Sequence, residues 1–329
     1  MGIVISVKNV SKQYSSYERG GGFKEAVKSL FIRKKILVDA VKDISFEIEE
    51  GTITGLLGKN GAGKSTLIKM MTGVLFPTTG EIRVMGYDPN RDRSKYVANI
   101  GVLFGQKSQL IWDVPPIDSF LMNKAIYDIE TAPFEAILNK MTALLEVEGE
   151  IKKPTRQLSL GERMKCEFIM AMLHSPKIVF LDEPTIGLDI LAKETIRNFI
   201  LEMNRQGVSF ILTTHDLADV EKLAQNVIII NQGEKVYEDS LISLKKYLGD
   251  KKTIRIVMKE RAPDFSFEGV DDINHISDYE KELLLDCETI PVNDFLHKAG
   301  ELGEIADISI KEMSMEVIVK EIYRMNGER

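Results

Sequence analysis

A glycine-rich loop near residue 60 carries the residue types that hold phosphate groups. The segment GKNGAGKST at 58–66 follows the apolar stretch TITGLL and precedes an apolar helical pattern. Its glycines let backbone N–H groups approach phosphate oxygens at the N-terminus of the next helix. Lys64 would reach the β and γ phosphates, and the Ser65 hydroxyl would ligate Mg²⁺. The pattern predicts a nucleoside triphosphate site, and its strand–loop–helix context disfavours the alternative of a glycine-rich turn with a coincidental lysine.

An acidic pair follows a second apolar strand, IVFL, in the segment IVFLDEP at 178–184. Asp182 could hold Mg²⁺ directly or through water, and Glu183 could act as the general base that polarises the attacking water. Such a pair at a strand end also serves as a helix cap. The phosphate loop upstream favours the catalytic interpretation.

The periodicity of the chain predicts the elements that position these residues. The opening segment and residues 38–57 alternate as in an antiparallel β layer, and residues 116–150 have a helical, Leu/Met-rich pattern. Two buried-type strands at 178–181 and 209–214 flank a helical stretch at 190–205. This βαβ order is typical of a parallel sheet.

The character of the chain changes near residue 250. The strands TIRIVM, ELLLD and IADISI alternate there with a helix near 292–300 and a closing helix, which predicts a small α+β domain over 251–329. In the closing helix we expect one apolar stripe to belong to the core, namely Met315, Ile318, Val319, Ile322 and Tyr323.

Further motifs give the chain a family resemblance over roughly residues 3–247. LSLGER at 158–163 resembles the signature sequence of the ATP-binding cassette (ABC) ATPases, and it stands just upstream of the Asp-Glu strand as in that family. Gln106 matches the family's Q-loop, Gly187-Leu188-Asp189 its D-loop and His215 its switch histidine. The resemblance implies a P-loop NTPase of the α/β class, with a RecA-like parallel sheet core, an antiparallel β subdomain and a helical subdomain at about 107–165. The ATPase domain would span residues 1–250.

The resemblance also assigns roles to residues. Tyr14 would stack on adenine, and Ser159 and Gly161 would contact the γ-phosphate of nucleotide bound to the opposite subunit. The predicted catalytic residues are Glu183, His215 and Gln106, and the predicted metal site comprises Ser65, Gln106 and Asp182. The predicted ATP-binding residues are Tyr14, Gly58, Asn60, Gly61, Ala62, Gly63, Lys64, Ser65, Thr66, Ser159, Gly161 and Asp189.

The signature departs from the family pattern at two positions. Leu160 replaces a glycine and Glu162 replaces a glutamine. We expect Glu162 to bring negative charge near the opposite nucleotide, which would slow hydrolysis or require a neighbouring cation.

Composition restricts the partners. The net charge of −7 and the pI near 5.4 argue against a broadly basic surface, so no nucleic-acid partner is expected. No run approaches the ~18 consecutive apolar residues of a membrane span, and the start, MGIVISVKNV, lacks a signal-peptide pattern. Cys166 and Cys287 show no metal-ligand spacing and fit a reducing compartment. We expect a cytoplasmic protein, peripheral on the inner face of the cell membrane.

One phosphate loop and one signature in each chain imply two chains for two complete sites, as a homodimer or with a paired cassette. The family further implies a separate transmembrane permease, for which Trp112 in QKSQLIWDVPPIDSFL is a candidate contact. Packing of Trp112 inside its own subdomain is the alternative. FGQKSQLIWDVP also resembles the ATPases of ABC-2 type permeases, many of them exporters.

Other interpretations stay open at this stage. A basic helical pattern at 23–37, within an insertion at 15–37, could meet anionic headgroups or a permease, or it could pack on the β layer. A soluble ABC ATPase acting on a macromolecular complex is the main functional alternative. Such proteins usually carry two fused cassettes or a long coiled coil, which this sequence lacks. A P-loop kinase or GTPase leaves LSLGER and His215 unexplained.

Overall fold

A computed structural model of the chain describes residues 2–17, 35–105, 107–247 and 249–326. Two compact units are distinguished, Met1–Asp239 and Ser240–Arg329. The division lies upstream of the domain boundary predicted at 250/251, because the short helix Leu241–Lys245 belongs to the second unit. Within the described ranges, no helix is long and apolar enough to cross a membrane.

The first unit contains strands and helices in mixed order. Its strands are β1 (Ile3–Tyr17), β2 (Lys35–Glu49), β3 (Ile53–Leu57), β4 (Thr79–Val84), β5 (Ile100–Phe104), β6 (Ile178–Asp182), β7 (Ser209–Thr213), β8 (Asn226–Asn231) and β9 (Glu234–Ser240). Its helices are α1 (Lys64–Met71), α2 (Arg93–Val97), α3 (Pro116–Ile126), α4 (Thr131–Leu145), α5 (Leu160–Met172), α6 (Ile190–Arg205) and α7 (Leu217–Leu223), with 3₁₀ turns at Glu150–Lys152 and Thr155–Gln157.

The central sheet has the strand order β5-β6-β7-β3-β8-β9, and β5, β6, β7, β3 and β8 pair in parallel. Strands β6 and β7 are neighbours joined through α6, which confirms the predicted βαβ unit. Successive side chains alternate between two cores. Val179 and Leu181 pack on the side of the helices, whereas Ile178 and Phe180 face the antiparallel layer. The predicted α/β fold with a parallel core is confirmed.

The antiparallel layer has the order β2-β1-β4. The predicted helix at 23–37 is wrong in its last residues, because β2 begins at Lys35 and Leu37 pairs with Ser15 of β1. Here the apolar alternation of KILVDAV continues the strand, and its ladder with β1 outweighs the helical spacing. Residues 18–34, which carry the rest of that predicted helix, lie outside the described residues.

The second unit contains α8 (Leu241–Lys245), β10 (Lys251–Met258), β11 (Val270–Ser277), β12 (Glu280–Asp286), α9 (Val292–Leu302), β13 (Ile305–Glu312) and α10 (Met315–Met325). Its antiparallel sheet has the order β11-β12-β10-β13. Ile254, Leu283 and Phe295 of β10, β12 and α9 share one core. The apolar stripe predicted for the last helix is buried, as expected. Strand β11 was not predicted, because its sequence VDDINHIS is polar at most positions.

Candidate active site

The phosphate loop joins β3 to α1 through a backbone that only glycine accommodates. Gly61 and Gly63 have φ values of 81° and 110°, in the left-handed region that favours glycine. A Cβ on Gly58 would lie 2.5 Å from the Ile230 carbonyl oxygen, and one on Gly63 would lie 2.4 Å from that of Ala40. The glycines are therefore required by the tight turn and by the close approach of neighbouring strands.

Lys64, the first residue of α1, extends across this loop. Its side-chain ammonium donates to the carbonyl oxygens of Gly58 at 2.7 Å and Lys59 at 3.1 Å. The residue is only 6% exposed. Burial lowers the pKa of the ammonium, and the negative charges of Glu183 and Asp182 oppose that shift. The loop thus holds a cation where it can face a phosphate group.

Asp182 lies at the carboxyl end of β6 and accepts two hydroxyl hydrogen bonds. Ser65 Oγ donates to its Oδ1 at 3.0 Å, and Thr213 Oγ1 donates to the same atom at 2.6 Å. The described residues contain no cluster of three or more His, Cys, Asp and Glu side chains that could hold a metal. A hydroxyl and one carboxylate do fit Mg²⁺, which usually takes one or two protein ligands and completes its shell with phosphates and water.

Glu183 follows directly and has a φ of 56°, an unusual conformation for a residue other than glycine. Its backbone N–H donates to the Thr213 carbonyl and hydroxyl oxygens, both at 3.1 Å. Its Oε2 lies 2.6 Å from His215 Nδ1. Because an ionised carboxylate only accepts, the proton of this hydrogen bond lies on Nδ1. The strained turn thus directs the carboxylate toward the histidine after β7.

These groups line a cavity of about 530 Å³, a volume typical of small-molecule sites. Of the predicted residues, it brings together those of the phosphate loop, the acidic pair and the switch histidine. The lining residues are Ala40, Asn60, Gly61, Gly63, Lys64, Ser65, Thr66, Lys69, Val74, Phe104, Gly105, Lys107, Asp182, Glu183, Ile186 and His215. Gly58 and Ala62 belong to the loop but not to this lining.

The predicted adenine contact, Tyr14, is not part of the cavity lining. Tyr14 is 39% exposed on β1, outside the lining, with the Lys12 ammonium 5.4 Å from its ring centre. It pairs with Val38, two residues before Ala40 of the lining. Gln106 lies outside the described residues. The adenine contact and the Q-loop role stay predictions.

The signature segment lies outside the cavity lining as well. Ser159 caps α5, since its hydroxyl accepts from the Glu162 N–H at 3.2 Å while the Glu162 carboxylate accepts from the Ser159 N–H at 2.8 Å. This capping box directs the Glu162 charge toward its own helix terminus. Asp189 caps α6 through the Ala192 N–H at 2.8 Å. A Cβ on Gly161 would lie 2.9 Å from Ala192 Cβ, so glycine lets α5 approach α6.

Sequence reasoning missed several residues that support the site. Thr213 forms hydrogen bonds with both members of the acidic pair. The sequence feature that could have identified it is a hydroxyl residue at the end of a buried strand, just before His215. Thr185, close after the pair, donates to Asp219, which also accepts from Arg197 Nε at 2.7 Å. All three side chains are buried. No pattern in the sequence pairs these distant residues.

Comparisons with known proteins place the chain in a family. Residues 41–186 match the family model described as ABC transporter. The chain is 32% identical over 214 residues to the ABC transporter ATP-binding protein NatA of Bacillus subtilis (strain 168), an alignment that covers 65% of this chain and 87% of NatA. It is 29% identical over 225 residues to the methionine import ATP-binding protein MetN 2 of Enterococcus faecalis (strain ATCC 700802 / V583), covering 67% of this chain and 65% of that protein.

A solved structure has the same fold. The dimeric post-hydrolysis state of the ATP-binding cassette MJ0796, bound to ADP and Pi, superposes with a TM-score of 0.60 at 23% identity. The match covers 72% of this chain and 98% of that cassette.

Proposed function

This chain belongs to the ATP-binding proteins of ABC transporters and is an ATPase, and from that premise we propose the following mechanism and partners. ATP binds at the phosphate loop, with Mg²⁺, and is hydrolysed at the interface with a second cassette. Hydrolysis drives a substrate outward through a separate membrane permease. The observation that carries the proposal is the arrangement of Lys64, Asp182, Glu183 and His215 around one cavity.

The proposed binding step uses the loop and the buried lysine. Backbone N–H groups of the loop and the N-terminus of α1 face the phosphates, and the Lys64 ammonium exchanges its loop carbonyl partners for phosphate oxygens. Ser65 and Asp182 would hold Mg²⁺, which neutralises charge on the β and γ phosphates when bound. Thr213 keeps the Asp182 carboxylate in place through its 2.6 Å hydrogen bond.

The proposed chemical step uses Glu183 as general base. Its carboxylate accepts a proton from the attacking water, and His215 Nδ1–H orients that carboxylate. The other ring nitrogen of His215, Nε2, takes no part in the hydrogen bond with Glu183. When Nε2 carries a proton, it can donate a hydrogen bond to the γ-phosphate. The backbone bonds of Glu183 to Thr213 hold the base rigidly at the strand end.

A second cassette would complete the site. Ser159, Gly161 and Asp189 do not line this chain's own cavity, which supports their use across an interface. The MJ0796 cassette, of the same fold, is dimeric. We propose a head-to-tail dimer, either of two identical chains or with a paired cassette.

The permease contact is proposed at the segment around Trp112. Trp112 is 53% exposed and Ile111 beside it is exposed too, which agrees with a surface position rather than packing inside the subdomain. The resemblance of this segment to the ATPases of ABC-2 type permeases supports export, although MetN 2 is by its name an import protein. Such docking would place the chain on the cytoplasmic, inner face of the cell membrane.

Glu183→Gln tests the proposal directly. The amide keeps the shape but cannot accept the proton, so turnover should fall by about 10²- to 10⁴-fold while ATP binding is retained. ATPase assays measure turnover and calorimetric ATP titration measures affinity. Size-exclusion chromatography with ATP should show a dimer, because the bound ATP is no longer hydrolysed. The exposed Glu135→Gln on α4 is the matched control and should behave as the wild type. Normal turnover in the Glu183 variant would contradict the assignment of the base.

A further inference from the structure

A carboxylate with no assigned role lies on the signature helix α5. Glu167 is 5% exposed, among the buried residues Cys166, Phe168 and Met164 of the same helix. Burial raises the pKa of its carboxyl group. A buried carboxylate is costly unless it is well hydrogen-bonded, so its partners indicate why it is there.

The partners of Glu167 all come from one segment beside the nucleotide cavity. The Ser108 hydroxyl donates to its Oε1, and the Gln109 N–H lies 3.1 Å from both carboxylate oxygens. The Leu110 N–H in turn donates to Ser108 Oγ at 3.2 Å. One carboxylate thus organises three consecutive residues of an otherwise irregular segment.

The other end of this segment is attached to the catalytic strand. The Gly105 N–H donates to the Asp182 carbonyl at 2.9 Å, and a Cβ on Gly105 would lie 2.7 Å from the Glu183 carbonyl oxygen. Lys107 lines both the nucleotide cavity and a smaller cavity of about 180 Å³ that Glu167 also lines. A shift of Ser108–Leu110 would therefore move a wall of the nucleotide cavity.

The same helix also contacts the continuation of the segment. The Arg163 guanidinium, one turn before Glu167, lies 5.9 Å from the centre of the Trp112 ring. The first residue before α5 is Ser159, the predicted contact to the opposite nucleotide. Helix α5 thus joins the wall of one site to a contact of the other.

We propose that Glu167 is a positioning residue for hydrolysis, which holds residues 107–110 against the nucleotide cavity and makes them move together with α5. The inference rests on the proposed function. It requires Glu167 to act through Ser108 and Gln109 rather than by touching ATP. A change at Glu167 should therefore lower turnover and leave ATP binding intact.

The test uses the full chain with Glu167→Gln, Ser108→Ala and the double variant. Glu167→Gln keeps the side-chain volume, and its amide oxygen can replace one carboxylate oxygen. In either orientation, however, its NH2 group faces the Gln109 N–H, which places a donor against a donor. Each single variant should lower kcat about ten- to hundredfold, since small misplacements near reacting groups have effects of that size. The Kd for ATP should stay within about twofold. The double variant should have a kcat no lower than that of Glu167→Gln alone, because both changes remove the same interaction.

The controls separate this inference from the proposed function. Glu135→Gln, at an exposed position on α4, should leave kcat and the melting temperature unchanged. Wild-type kcat in Glu167→Gln and Ser108→Ala, with the predicted large fall in turnover in Glu183→Gln, would overturn only the positioning role. Normal turnover in Glu183→Gln would overturn the base assignment in the proposed function, which is a different result.

Three further outcomes would contradict the positioning role of Glu167. Multiplicative effects in the double variant would show that the two residues act independently, and an equal loss of ATP affinity and kcat would indicate a general structural role. If Glu167→Gln fails to fold, Ser108→Ala tests the proposal instead, since Ser108 is exposed and its replacement should not prevent folding. A folded Ser108→Ala with normal kcat would then overturn the proposal.

Discussion

The phosphate loop and the signature segment are both predicted to touch ATP, yet they are built in opposite ways. Around the loop, Lys64, Ser65, Asp182 and Glu183 have polar partners from several elements of the same chain. Ser159, by contrast, bonds only with its own helix terminus in the described contacts. One region is a formed site, and the other is a surface.

The surroundings of the signature segment support this difference. Leu160 is 40% exposed, and Ile190 and Leu191 at the start of α6 are 81% and 76% exposed. Large apolar side chains at that exposure favour a partner surface over solvent. In the proposed dimer, the two halves of a site would therefore have different requirements, with rigidity for the half that binds ATP first and accessibility for the half that closes over it.

The largest expected difference concerns ATP affinity. Lys64→Met removes a buried ammonium, and because hydrogen bonds to charged groups contribute about 1.5–3 kcal/mol, ATP binding should weaken about 10- to 150-fold. Ser159→Ala should leave the affinity of the single chain within about twofold and lower turnover instead. Isothermal titration calorimetry below the dimerisation concentration measures both. Equal losses of affinity in the two variants would contradict the division between a formed site and a surface.

A smaller effect is expected where the signature segment contacts the body of the unit. Gly161→Ala places a Cβ 2.9 Å from Ala192 Cβ, so crowding should lower the free energy of unfolding by about 1–3 kcal/mol. Urea denaturation measures the change. Gly149 is the matched control, since it has a φ of −82° and a Cβ there meets nothing within 4 Å. Gly149→Ala should stabilise the chain by about 0.4–1 kcal/mol, and destabilisation by both would show that crowding at Gly161 is not the cause.

The sequence predicted those parts of the site whose chemistry is local. The phosphate loop, the acidic pair and His215 each follow a strand, and parallel strands bring their carboxyl ends to one edge, so their convergence could be anticipated. The α6 bounds predicted from periodicity, 190–205, match the structure because the apolar stripe and the Asp189 cap agree there. At these positions, the local sequence pattern and the tertiary packing favour the same structure.

The parts that were missed depend on contacts between distant residues. The Glu167–Ser108 and Arg197–Asp219 pairs join different elements, and neither partner has an unusual local pattern. The polar strand β11 was missed because it lacks an apolar alternation of its own and is stabilised by pairing with β12. The start of β2 was misassigned for the same reason, since β1 supplies its hydrogen bonds.

The smallest effect is expected at Glu162, where the sequence alone predicted a charge close to the opposite nucleotide. The carboxylate accepts from the Ser159 N–H, and a glutamine oxygen can accept the same bond. Glu162→Gln should therefore change the free energy of unfolding by less than about 0.5 kcal/mol and turnover by less than about threefold. Glu162→Ala, which breaks the capping box, should cost about 1 kcal/mol by urea denaturation. A much larger rise in turnover in Glu162→Gln than in Glu135→Gln would show that the charge does reach the opposite site, and the signature segment would then be more than an exposed surface.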